Sequence, residues 1–237
     1  DGEGYTSVID ALLAAVENGA SEIKVLESVR EKMPTDIELV VKANLLITAD
    51  SAVEVKFYND GTSYDFIFNS NNNNTITIGE NVTFQLEDRV IWLGYYGNNV
   101  DVVVNGTLAG YQIWHGADTT VNATGTLKTT GEALVLRRGA TLTVNGGKVE
   151  ANYFNILAGN IFAENATINC GAFWIANTGS YTNEGNASIS IWNSTLTSSG
   201  NLKSSSTSNA GVSIDIYDSV VSFNDFDGYG ASVLDAN

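Results

Sequence analysis

From residue 76 onward the apolar and polar positions repeat one figure: a short alternating run, an Asn or Asp, a small residue, then an apolar one. Ile76-Thr77-Ile78 leads into Asn81-Val82-Thr83-Phe84, and Val102-Val103-Val104 into Asn105-Gly106-Thr107-Leu108. Leu142-Thr143-Val144 leads into Asn145-Gly146 and then Val149, and Ile161-Phe162-Ala163 into Asn165-Ala166-Thr167-Ile168. Ile189-Ser190-Ile191 leads into Asn193-Ser194-Thr195-Leu196, and Ile214-Asp215-Ile216 into Asp218-Ser219-Val220-Val221. With Thr124-Gly125-Thr126-Leu127 included, the turns step by 24, 19, 21, 20, 28 and 25 residues. A period in this range signals a solenoid.

Each unit reads as strand, Asx-containing turn, apolar residue, second strand and loop. Val90-Ile91-Trp92-Leu93, Tyr111-Gln112-Ile113-Trp114, Ala133-Leu134-Val135-Leu136, Phe154-Asn155-Ile156-Leu157 and Phe173-Trp174-Ile175 supply the second strand. Gly94, Gly116, Gly139, Gly159 and Gly179 soon follow. A coil of some twenty residues cannot bury its own apolar side, but a stack of them can, with parallel strands about 4.8 Å apart. Alternation then sends Ile113, Leu134, Ile156 and Ile175 inward and Trp114, Val135 and Trp174 outward, with Trp92 in a comparable place. Asn and Asp at the bends tolerate the left-handed conformation, and Gly supplies positive φ. Stacked Asn side chains bond one another up the column. A single proline, Pro34, fits strands that must donate to a neighbour.

The front end differs. Ser7 with Asp10 starts a helix whose apolar face is Val8, Ile9, Leu12, Leu13 and Val16, and Asn18-Gly19 ends it. Ile23–Leu26, Ile37–Val41, Leu45–Ile47, Val53–Phe57 and Phe66–Phe68 read as strands. A short amphipathic helix covers the open end that a solenoid would otherwise expose. The expectation is one all-β solenoid domain over residues 1–237: a helical cap at 1–21, first coils at 22–73 and regular coils at 74–237, about ten in all.

The stretch SVIDALLAAVENGASEIKVLESV, followed by IELVVKANLLITAD, resembles the opening of right-handed parallel β-helix domains in bacterial cell-surface, adhesin-like proteins. The repeats from about residue 74 resemble the pectin-lyase-like superfamily in its non-enzymatic surface form. The resemblance implies a single-stranded right-handed coil, a secreted or cell-surface location, further domains of a larger protein, and an adhesive, carbohydrate-binding or spacing role. The right hand comes from the resemblance alone.

Composition narrows the partners. Net charge is −16 with eleven Lys and Arg, which argues against nucleic acid and anionic membrane surfaces. Charged residues are only 16%, so Asn, Thr, Ser and Gly must make the surface polar. No apolar run approaches the roughly 18 residues of a membrane helix. A chain opening on Asp1 is expected to have lost a leading segment, such as a signal peptide. The lone Cys170 forms no disulfide within the chain and reads as a small buried apolar residue.

No catalytic constellation, cofactor or metal site is expected. The pectin-lyase-like lyases would need an Arg or Lys base beside acids holding calcium, and Arg137-Arg138 is the only basic pair. His115, the only histidine, lacks the neighbours a lyase or hydrolase motif would give it. Asp101 and Asp118 are the nearest acids, and nothing in the sequence aligns them for glycoside chemistry. Asn224-Asp225-Phe226-Asp227-Gly228 has part of a calcium loop but reads as a surface turn. The sequons at Asn81, Asn105, Asn122, Asn165, Asn186 and Asn193 recur with the period and read as turn residues rather than glycan acceptors. The candidate site is aromatic: Trp92, Tyr95, Tyr96, Trp114 and Trp174. Trp92 and Trp114 should lie side by side, with Trp174 about three coils on. Two readings stand: a platform on which sugar rings stack, or a second, smaller core under a loop such as NTGSYTNEG.

Overall fold

The computed structural model describes residues 4–95, 100–175, 185–204, 212–228 and 233–236. Among these, the chain is one 11-residue helix followed by parallel strands in two long sheets. The helix Val8–Asn18 starts at Ser7, whose hydroxyl accepts from the Asp10 amide, and stops at Gly19 with φ 67°. Ile9, Leu12 and Ala15 are buried against the first strands. Leu13, expected on the same face, is exposed because it falls one position beyond the stripe.

The strands stack in three columns, here called faces A, B and C in the order each coil visits them. Face A holds ten strands, from Glu22–Lys24 and Leu45–Thr48 through Ala187–Trp192 and Val212–Tyr217 to Val233–Ala236. Face B runs from Val29–Lys32 to Val220–Ser222, and face C from Ile37–Val41 to Phe226–Gly228. Four strands are long enough to bend and serve both B and C: Val82–Leu93, Thr107–His115, Lys148–Ile156 and Thr167–Ile175. Every pairing joins one coil to the next and is parallel, so the architecture is an all-β solenoid. Val29–Lys32 escaped the sequence reading because Val29 is the only apolar residue in it. The strand expected at Ile23–Leu26 is shorter, Glu22–Lys24, and Leu26 turns out to solvent.

Alternation works as expected. The interior column of face C contains Phe66, Ile91, Ile113, Leu134, Phe154 and Phe173, all essentially inaccessible. Near the helical end the interior is aromatic: Phe57, Phe66, Phe68 and Phe84 have ring centroids 5.1–5.5 Å apart.

The repeated turn phrase has two physical causes. Asn165, Asn193 and Asp218 are left-handed, at φ 53°, 44° and 47°. Asn122 donates through Nδ2 to Asn105 Oδ1 at 2.7 Å, Asn193 to Asn165 at 2.6 Å, and Asn81 to the Ala49 carbonyl at 3.0 Å. These amide nitrogens, the atoms a glycan would occupy, are spent holding coil on coil. Gly106 and Gly125 correct the expectation that glycine is there for positive φ. Neither has it. A Cβ at Gly106 would sit 2.2 Å from the Gly79 carbonyl oxygen, and one at Gly125 2.1 Å from that of Val104. Only a residue without a side chain lets neighbouring coils approach so closely.

Candidate aromatic and carboxylate sites

Faces with a filled interior can act only through their outward residues. On face C the outward column passes from Ile67 to Trp92, Trp114, Val135, Asn155, Trp174 and Lys203. The structure therefore brings Trp92 and Trp114 side by side, with centroids 5.0 Å apart, and places Trp174 three coils further on. Tyr95 packs edge-on against Trp92 at 4.8 Å. Tyr96 lies outside the described residues, as does most of NTGSYTNEG.

These indoles are half-buried, and their geometry is that of a packed cluster. Trp92 and Trp114 are tilted 41° from each other. Trp92 Nε1 donates to Asp65 Oδ2 at 3.0 Å. The Arg137 guanidinium lies 5.1 Å from the Trp114 ring centre, and Lys203 Nζ 5.8 Å from that of Trp174. Cations attracted to a ring face occupy the surface on which a sugar would stack. Trp114 also packs on a small outer cluster of Ala133, Val135 and Leu157, each at least nine-tenths buried. Trp174 Nε1 and Asn155 Oδ1, on adjacent coils, are buried without a hydrogen-bond partner among the described residues.

A second aromatic feature was not found from the sequence. On face A, Phe162, Trp192 and Tyr217 are exposed by 43%, 38% and 36%. The Trp192 and Tyr217 planes are within 6° of parallel at 5.3 Å, and those of Phe162 and Trp192 within 13° at 6.5 Å. Trp192 and Tyr217 stand directly before the turn residues Asn193 and Asp218 in successive coils. That spacing was the available signal.

Asp101 and Asp118 are aligned after all. Val102 pairs with Thr119, which sets the two preceding residues on adjacent coils. They edge a shallow open dip of about 340 Å³ lined by Thr75, Thr120, Thr141 and Thr143. Thr141 donates its amide to Asp118 Oδ1 at 2.8 Å. Partial burial, then the Asp118 charge, hold the Asp101 carboxyl above the usual range. Both side chains leave the same sheet in the same direction. A glycosidic bond needs its two carboxyl groups on either side of it, whereas these stand abreast.

His115 occupies the interior column of face C between Leu93 and Leu136. It is fully buried, shares a 3.1 Å hydrogen bond with Thr119 Oγ1, and has its pKa pushed down to about 3 by loss of solvation. It is a neutral core residue, out of reach of any surface ligand. Cys170 is buried as expected, and burial pushes its thiol up to about 11. The expected turn at 224–228 is in part a strand, Phe226–Gly228, paired with Leu202–Ser204, because Leu202 and Phe226 fall in register. Among the described residues no group of three or more His, Cys, Asp or Glu is placed to hold a metal ion, and no helix is long and apolar enough to cross a membrane.

Comparison with known proteins finds no matching family model, no matching curated protein and no matching solved structure.

Proposed function

We propose that this chain is a non-catalytic module of an extracellular bacterial surface protein, a right-handed parallel β-helix that spaces or displays an adhesive surface. One observation carries the reading: among the described residues the interior is one apolar cluster from Ile9 to Ile214, with His115 among the few polar side chains buried in it, and the polar exterior is built from the turn and strand residues that hold the coils together. A solenoid so filled is a rod whose length grows with each coil. The right hand is supported by the strand connections, since parallel strands joined across one sheet are right-handed in about 98% of cases. An acidic surface of net charge −16 suits a soluble rod without nucleic-acid partners.

The test is antibody labelling of source cells with serum raised against the recombinant chain. Intact cells should label as strongly as lysed ones; labelling only after lysis overturns the surface role. A second reading, glycan binding by the face C indoles, is favoured by the adjacency of Trp92 and Trp114, and predicts that Trp114→Ala abolishes it. A third, hydrolysis, would have to use Asp101 and Asp118, the adjacent carboxylates of face A, although they stand abreast rather than on either side of a bound chain. New reducing ends from a polysaccharide panel, lost in Asp101→Asn, would replace the non-catalytic reading with that one.

A further inference from the structure

The three outward rings of face A stand out on a surface that is otherwise mostly small or polar, with Leu46 and Val103 as apolar exceptions in the Phe162 column. In earlier coils the position of Phe162 is held by Thr143, Thr120, Val103 and Thr77. The position of Trp192 and Tyr217 is held by Asn145 and Glu164. Three successive coils thus replace small or polar groups with large rings that remain more than a third exposed. Folding gains from only the buried part of each ring, and a contiguous exposed apolar patch with a polar rim marks an interaction surface.

Ring orientation says what kind. Parallel planes with centroids 5.3 Å apart cannot be squarely superposed; at a contact height of roughly 3.5 Å they are offset sideways by about 4 Å. The rings form a staircase, and each leaves part of a face open. This differs from the face C indoles, which are tilted and covered by Arg137, Lys203 and Tyr95. The outward neighbours along the same strands are hydrogen-bonding groups. Asp215 lies two residues before Tyr217 and accepts at 3.5 Å from the hydroxyl of Ser190, which is itself buried. Glu164 is the register partner of Trp192, and Ser188 donates to Asn160 Oδ1 at 2.7 Å on the same face.

We propose that Phe162, Trp192 and Tyr217 form a docking surface for a neutral glycan chain. Sugar C–H faces lie on the offset rings, and sugar hydroxyls donate to Glu164 and Asp215. Charge selects the occupant. These carboxylates accept hydroxyl donors and repel polyuronates and other anionic chains, while a flat protein partner gains nothing from the repeating offset of the rings.

The experiment is titration of the whole chain with cellohexaose, xylohexaose and mannohexaose, followed by calorimetry, with polygalacturonate as the anionic control. At least one neutral hexasaccharide should bind below about 1 mM, and polygalacturonate should not. Trp192→Ala and Tyr217→Ala should each weaken binding about tenfold, the equivalent of one lost aromatic contact. Trp192→Phe should keep most of it, which separates a lost ring from a misfolded coil. Trp114→Ala is the discriminating arm: affinity within about twofold, less than about 0.4 kcal/mol of binding free energy, keeps the glycan on face A, and abolished binding moves it to face C and overturns the proposal. No binding by any neutral hexasaccharide, binding unaffected by Trp192→Ala, or preference for polygalacturonate overturns the proposal. Each of those results leaves the surface-rod reading as it stands.

Discussion

Replacing Gly106 by Ala adds one methyl group at the tightest kind of contact in this fold. The new Cβ would stand 2.2 Å from the Gly79 carbonyl oxygen and 2.3 Å from that of Val82. Restoring an ordinary carbon–oxygen contact of about 3.3 Å needs a displacement of roughly 1 Å. Both obstructing atoms are backbone, so no side chain can swing aside. The amides of Asn105 and Gly106 donate to the Ile78 carbonyl at 2.9 and 3.2 Å, and the Thr126 amide donates to the Gly106 carbonyl at 2.8 Å. A shift of that size takes such bonds beyond bonding distance. Losing the two bonds that Gly106 itself makes, at about 1 kcal/mol each, with an overpacking strain of about 1–3 kcal/mol, gives a loss of about 3–5 kcal/mol. The control is Gly139→Ala. It has φ 76° and nothing within 4 Å of its missing Cβ, so it pays only the left-handed penalty of about 1–2 kcal/mol. Urea unfolding followed by far-UV circular dichroism should rank the two in that order. Hydrogen exchange should show the excess opening at the amides of 79–82 and 105–107. A Gly106→Ala protein no less stable than Gly139→Ala would refute the claim that close coil approach, rather than backbone conformation, requires this glycine.

Two further predictions concern buried groups. His115 has its pKa lowered to about 3 from an ordinary 6.5, so between those values the unfolded chain binds a proton that the folded chain does not. Its contribution is intact above pH 6.5 and is lost as pH falls towards 3, at about 1.4 kcal/mol per pH unit within the window. His115→Leu should flatten the pH dependence of the urea midpoint by that slope, and an unchanged slope would show that the ring is hydrated. Cys170, with its thiol raised to about 11, should resist a thiol-specific chromogenic reagent at pH 8 in the native protein and react at once in denaturant. Rapid native labelling would place the side chain outside the core.

The coil pattern was legible because inward positions obey a period that local sequence carries. Ile113, Leu134, Ile156 and Ile175 are interior, and Trp92 meets Trp114, as alternation and coil length required. What covers an outward residue was not legible, since that depends on side chains brought in from other coils. Arg137 lies over Trp114 from one coil on, and Lys203 over Trp174 from the next coil. The helix is held the same way: Glu31, on the first face B strand, accepts from the amides of Val8 and Ile9 at 2.6 and 3.2 Å. No local motif links residues so far apart. Asp101 and Asp118 were separated on paper by unequal coil lengths, which the loops absorb while the strands remain in register. Trp192 and Tyr217 carried a readable signal at a fixed place before the turn. Phe162 did not, because its ring meets Trp192 although its backbone partner is Ser190.

The placement of aromatic side chains separates support from contact. Rings inside the solenoid, such as Phe57 and Phe84, gain from complete burial and from tilted packing at 5.2 Å. The face C indoles gain from burial in part, from Asp65 and from cations on their faces, all of which the chain itself supplies. Trp192 and Tyr217 gain one stacked neighbour on each side at most and remain open to water. If rod stability were their purpose, small or polar residues at those outward positions would serve as well, as Asn145 and Glu164 do in earlier coils. Substituting both by Thr should therefore shift the urea midpoint far less than Gly106→Ala does, while removing the surface to which a neutral glycan would bind. A large loss of stability in that double variant would return the ladder to the structural side and leave the glycan surface without its physical basis.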